Sequence, residues 1–238
     1  MSIPTKGVVL RSGESDHCPF IKQFWFPDEG SFIVADWNAH HDSSYAEVDR
    51  ILGRLVGEAS VLILQEINKS ADRIPQNLAK KYGWRSRSAA EFAIVWDPEV
   101  WEFVRSDLRV MSTKPYWASP NRALIVVLRH KRTGREVRFM SYHPPAHVQA
   151  PGHVTHDNVM AVYRDFCNER QRIARNSNIP CCFAGDGNVD PKKGWAPPNG
   201  WGFAFNQPPL DYVRAPEPTH GNRHIDEFMI DGVRAAPK

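Results

Sequence analysis

The 238-residue chain is poor in cysteine. It has Cys18, Cys167, Cys181 and Cys182, with no Cys-x-x-Cys pair. That spacing excludes a disulfide framework and a tetrahedral thiolate metal site. Cys181 and Cys182 adjoin inside an apolar run, where a thiol behaves as a small hydrophobe, so the expectation is a reducing, cytoplasmic setting. No apolar run approaches the roughly 18 to 20 residues of a membrane helix. The opening MSIPTKGVVLRSGE lacks the apolar core of a secretion signal. A soluble protein with no membrane partner is expected. Charge of one sign is not in large excess either: 30 Lys and Arg face 27 Asp and Glu, a net +3. This mild basic balance suits an anionic substrate without demanding one. There is no internal repeat and no linker that splits the chain, so one domain, residues 1–238, acting as a monomer, is expected.

Apolar material is plentiful, at 42% of residues. Short apolar runs bounded by turn signals read as strands: FIVADW (32–37), SVLILQE (60–66), FAIVW (92–96), ALIVVLRH (123–130), EVRFMSYH (136–143) and PCCFAGD (180–186). Their continuity predicts strands buried on both faces. Between them, SSYAEVDRILGRLVGE places Tyr45, Val48, Ile51, Leu52, Leu55 and Val56 on one helical face, with Ser44 and Glu47 as a capping box. THDNVMAVYRDFCNERQRIAR predicts a second helix with Val159, Val162, Tyr163, Phe166 and Ile173 inward, and residues 70–82 a weaker third. RHKRTGREV reads as a basic hairpin turn. Residues 187–222 are irregular and rich in Pro, Gly and Trp, a loop long enough to be functional. Strands interleaved with helices give an α/β class.

Short polar side chains follow the buried runs: Asn38 after ADW, Glu66 after LILQ, His143 after FMSY, and Asp186 and Asn188 in GDGN, with Asp226 in HIDEF. In layered α/β folds such positions converge at one sheet edge. Carboxylates and carboxamides together suit a hard divalent cation, Mg2+ or Mn2+, and a phosphate.

The ordered segments DWN, LQE, SYHPP, GDGNVDP and HIDEFMID resemble the motifs of the endonuclease/exonuclease/phosphatase superfamily, which includes deoxyribonuclease I. Chains of that family close with Ser-Asp-His after the Ile-Asp strand. This chain reaches Lys238 without one, but SDHCPF stands at 15–20. The resemblance therefore implies a four-layer α-β-β-α sandwich of two packed mixed sheets, circularly permuted. In that arrangement FIKQFWF and SFIVADWN would form a hairpin through the turn sequence PDEG.

The resemblance further implies roles. Glu66 and Asp16 would hold the metal, and Asn38 would help position the metal or the phosphate. Asp186 would orient the attacking water and Asn188 a phosphate oxygen. His17 would sit by the scissile phosphate with Asp226 fixing its tautomer, and His143 would donate to a phosphate or leaving oxygen. Arg122 matches a phosphate-contacting arginine. The Glu that pairs with His143 in nuclease members has no aligned match; Glu91 lies about one position away. Where such members carry Asp, this chain has His40, followed by His41 and Asp42.

Arg85, Arg87, the basic hairpin, Lys192 and Lys193 are candidates to meet a polyphosphate backbone. Trp195, Trp201, Phe203 and Phe205 are candidates to stack on bases. The expected function is a Mg2+-dependent phosphodiesterase acting on DNA. Two alternatives stay open: hydrolysis of a lipid-headgroup or small phosphate ester, and a non-catalytic binding module on the same fold.

Overall fold

The computed structural model describes residues 8–9, 17–27, 30–40, 43–67, 77, 80–116, 119–146, 156–189, 211–220 and 226–235. Two sheets pack face to face. The first has the order β1 (Val8–Val9), β2 (Phe20–Trp25), β3 (Ser31–Asn38), β4 (Val61–Gln65), β6 (Phe92–Trp96), β5 (Arg85–Ala89), with β13 (Arg234–Ala235) also on β2. The second has the order β11 (Asp211–Arg214), β12 (Asp226–Asp231), β10 (Cys181–Asp186), β9 (Glu136–Tyr142), β8 (Ser119–His130), β7 (Trp101–Tyr116). Helix α1 (Tyr45–Leu55) covers the outer face of the first sheet and α2 (His156–Arg175) that of the second. This is the four-layer α-β-β-α sandwich of mixed sheets that the sequence implied.

The apolar runs are continuous because every central strand is buried on both sides. In β4, Val61 and Ile63 face the other sheet while Leu62 and Leu64 face α1. In β10, Cys182 and Ala184 face inward while Cys181 and Phe183 face α2. Phe228 of β12 meets Phe20 of β2 at a tilt, ring centroids 4.9 Å apart, and Phe24 edge-on at 5.2 Å, joining the sheets. Each such ring buries about 1.5–3 kcal/mol of transfer free energy.

Helix α1 begins at Ser44, whose Oγ accepts from Glu47 N at 3.2 Å. Glu47 returns no bond, so only half of the expected capping box forms. Tyr45 is 55% exposed rather than on the buried face, and its hydroxyl accepts from Asn77. Of the weak helix expected at 70–82, the described residues 77 and 80–82 are helical.

The hairpin of β2 and β3 is present, with Trp25 opposite Ser31 and Phe20 opposite Asp36. The outer edge of β2 holds both terminal segments. Arg234 and Ala235 pair with Trp25 and Phe24, and Val8 and Val9 pair with Ile21 and Phe20. Both run antiparallel to β2, so they lie on one line in one direction, separated only by the positions opposite Gln23 and Lys22.

Candidate active site

Parallel pairing brings the ends of β3 and β4, and of β9 and β10, to one edge of the two-sheet stack. Asn38 pairs with Gln65, Gly185 with Tyr142, and Asp186 with Asp226 at the start of antiparallel β12. Glu66 and His143 follow directly. Two residues turn the chain here in the left-handed region, Glu66 (φ 52°) and Asn188 (φ 55°). Such backbone is costly for residues other than glycine, and it gathers where side chains must be aimed.

Four of the expected residues converge on Asp186. Its Oδ2 lies 3.7 Å from His17 Nε2 and 3.9 Å from His143 Nε2, and accepts from Asn38 Nδ2 at 3.3 Å. Its Oδ1 accepts from the Asn188 N–H at 2.7 Å. His17 Nδ1 sits 3.3 Å from Asp226 Oδ2, across 209 residues of sequence. Asn38 also donates to Glu66 Oε1 at 2.9 Å, and that oxygen is 3.4 Å from His143 Nε2. The Asn188 carboxamide donates to Pro144 O. Thr219 holds the dyad together. Its carbonyl accepts from Cys18 N, and its hydroxyl accepts from Asp226 N.

The electrostatics are those of a dry acid cluster. Burial, then the charge of Asp226, pushes Asp186 above the usual carboxylate range, while His17, His143 and the Asn188 N–H pull it back. Asp36, fully buried beneath the site and hydrogen-bonded by Gln65, is raised further by burial and by Asp226. Burial lowers His143, but the Glu91 hydrogen bond and the charges of Asp186, Glu91 and Glu66 outweigh it and hold the imidazole at about 9.

Glu91, one position from the family's pattern, reaches His143 Nδ1 at 3.5 Å. Arg122 stands at the site end of β8, beside the pair Ala123–Tyr142. Its side chain makes no hydrogen bond or ion pair among the described residues; its neighbour Asn121 donates to His143 O. Asp16, Trp195, Trp201, Phe203, Phe205, Lys192, Lys193, His41 and Asp42 lie outside the described residues. His40 (φ 53°) donates its backbone N–H to Asn38 Oδ1.

The basic hairpin at 129–135 sits at the opposite end of β9 from His143, roughly 20 Å away at strand rise. Arg129 is engaged by Glu102 and Glu136. Arg87 lies over the Phe103 ring at 4.4 Å. The hairpin is therefore no contact for a phosphate held at Asp186.

Sequence reasoning missed His220, whose ring stacks on His17 at 4.5 Å and 13°. It also missed Thr219, Asp36, and the buried Arg170 and Glu227 behind the site. Residues 219 and 220 sit in the irregular stretch, where periodicity gives no signal.

Ligand atoms of His17, Asp186 and Asp226 lie within 4.8 Å of one another, and the Glu66 carboxylate adjoins them through Asn38 and His143. A mainly oxygen donor set around buried carboxylates fits a hard divalent cation. The arrangement can hold such an ion, bind a phosphate oxygen and remove a proton from water.

No family model matches the chain, and no curated protein matches it in sequence. Solved structures match it in fold. The human Nocturnin catalytic domain with bound sulfate aligns at TM-score 0.60 and 16% identity, covering 95% of this chain and 85% of that one. An endonuclease/exonuclease/phosphatase family protein from Bacteroides thetaiotaomicron aligns at 0.59 and 14%, covering 90% and 84%. The D. rerio TDP2 complex with a single-strand DNA product aligns at 0.54 and 16%, covering 83% and 82%. The chain thus has the fold that these proteins share.

Proposed function

We propose that the chain is a divalent-metal-dependent phosphodiester hydrolase acting on DNA. The observation that carries this reading is the meeting of two imidazole–carboxylate pairs, His17–Asp226 and His143–Glu91, on the single buried carboxylate Asp186, with Glu66 beside it. A mere binding module has no need to bury carboxylates close enough to raise one another's proton affinity. The fold supports hydrolysis in general, and a neighbour that holds a DNA product supports the choice of polymer.

In this reading Glu66 and Asn38, with Asp16, hold Mg2+ or Mn2+, and the ion supplies charge neutralisation at the phosphate. Asp226 fixes the His17 tautomer so that Nε2 faces Asp186 and the substrate. Asp186 accepts the proton of the attacking water, and its raised proton affinity suits it to that task. The protonated His143 ring, kept charged by Glu91, donates to a phosphate or leaving oxygen. The Asn188 carboxamide orients the phosphate. Supporting the permuted chain order are the two terminal segments on one line along β2 and the hydrogen bond between an imidazole near the start and an acid near the end.

The test incubates purified protein with supercoiled plasmid, abasic duplex and a chromogenic phosphodiester, with Mg2+ or EDTA, beside His17→Ala. Metal-dependent nicking that the variant loses supports the proposal. Turnover of the small ester alone moves the assignment to a small-phosphate hydrolase. Binding without turnover sinks the enzyme reading.

A further inference from the structure

We propose that Arg170 is a positioning residue for this site, acting through Glu227 on the turn Asp186-Gly187-Asn188; the inference rests on the hydrolase reading above. Arg170 lies on α2, where a charged residue in a polar stretch would be expected to face water. Instead it is 3% exposed, and Glu227 is 2% exposed. Arg170 Nη1 donates to Glu227 Oε1 at 3.0 Å, and the Tyr142 hydroxyl donates to the same oxygen at 2.8 Å. The guanidinium also lies over the Tyr142 and Phe166 rings at 5.5 and 5.2 Å.

Strand alternation explains why this pair reaches the site from behind. Asp226 points between the sheets to His17, so Glu227, the next residue of β12, points toward α2. There its carboxylate fills the space beside Gly187. A Cβ on Gly187 would stand 2.9 Å from Glu227 Cδ and 3.0 Å from its Oε1. Tyr163, also on α2, donates its hydroxyl to Gly187 O at 3.2 Å. The turn is held at both points, which deliver Asn188 at φ 55° with its N–H on Asp186 and its carboxamide on the carbonyl after His143.

A fully buried ion pair is a weak source of net stability, because desolvation offsets most of the attraction. What it supplies is direction, since the planar guanidinium fixes where the carboxylate stands. Arg170 therefore sets how closely Glu227 packs on Gly187, and so how the Asn188 amide and carboxamide meet Asp186 and the phosphate.

The experiment compares wild type, the volume-matched double variant Arg170→Met/Glu227→Met, and Gly187→Ala, which presses on Glu227 from the turn side. Amide exchange at Asn188 and at Phe183 in β10 is read by NMR, with melting temperature and kcat and KM alongside. In the double variant the fold persists and Phe183 exchange is unchanged. Asn188 exchanges on the order of tenfold faster, and kcat falls about 10- to 100-fold with little change in KM, the scale of a misaligned catalytic group. Gly187→Ala gives the same signature. A double variant with wild-type Asn188 exchange and wild-type kcat overturns the proposal and leaves the pair a packing element. If wild-type protein turns over no phosphoester, the hydrolase reading fails, and the exchange ratio alone decides whether Arg170 positions the turn.

Discussion

Asp226→Asn separates what the site does for chemistry from what it does to the fold. The side chain is 1% exposed, with one oxygen 3.3 Å from His17 Nδ1 and the other without a hydrogen bond. Its charge raises both Asp36 and Asp186. An amide of the same shape keeps the packing and removes that charge. It also offers His17 Nδ1 a donor or a weaker acceptor, which permits the wrong tautomer. Hydrolytic kcat is expected to drop about 10²- to 10⁴-fold, the range for losing a positioned proton-transfer group or its orienting partner.

Stability moves the other way. Each pKa unit of relieved repulsion is worth about 1.4 kcal/mol. The metal-free variant should therefore melt above wild type, each 1 kcal/mol of relieved repulsion raising the melting temperature by about 2–4 °C for a chain of this length. The measurement is thermal unfolding in EDTA at pH 7, beside steady-state kinetics in Mg2+. A variant that is both fully active and less stable than wild type would refute the reasoning, since it would mean that Asp226 is a structural anchor.

Metal follows from the same carboxylates. Saturating Mg2+ or Mn2+ at about 100 Kd should stabilise EDTA-treated protein by about 2.7 kcal/mol, and Glu66→Gln should lose most of that shift in a thermal titration. His130 is lowered by burial and by Arg132, and is held between Trp101 and Thr133. It is neutral in both states above its unfolded value of 6.5 and resists protonation only in the fold. The His130 contribution should therefore weaken stability as pH drops below 6.5, and His130→Gln should lose less stability than wild type between urea melts at pH 7.5 and 5.5. Burial pushes the Cys167 thiol up to about 12 and Cys181 to about 11, and raises Cys182 well above its usual value. A disulfide reagent at pH 8 should titrate only Cys18 until the protein is denatured; rapid labelling of all four thiols would contradict the buried assignment. Gly185→Ala would drive a Cβ into the Tyr142 carbonyl across the parallel pair of β9 and β10, costing about 3 kcal/mol by chemical denaturation.

Much of this molecule could be read from sequence, because two-sided burial writes an unbroken apolar run. Ile63, Leu64, Phe183 and Ala184 announce central strands, and the polar residues that follow such a run mark the open edge. Asn38, Glu66, His143 and Asp186 were legible for that reason. Glu91 was offset because Ala90 takes a left-handed φ of 55° in the β5–β6 turn, which swings the next residue toward His143. Arg170 and Glu227 carry no sequence signal, since only three-dimensional packing reveals that they pair in a buried layer. Tyr45 went the other way: it shares the helical period of the buried face, but one turn too early to be covered by the sheet.

The hydrogen bond between His17 and Asp226 also sets a clock on synthesis. At the usual ribosomal pace of about 5–20 residues per second, the imidazole leaves the ribosome about 10–40 s before the acid that must hold it. Glu66 and Asp186 are made in between, yet the dyad stays open until β12 arrives. Whatever chemistry the dyad serves is therefore withheld from the nascent chain until β12 has emerged and paired with β10.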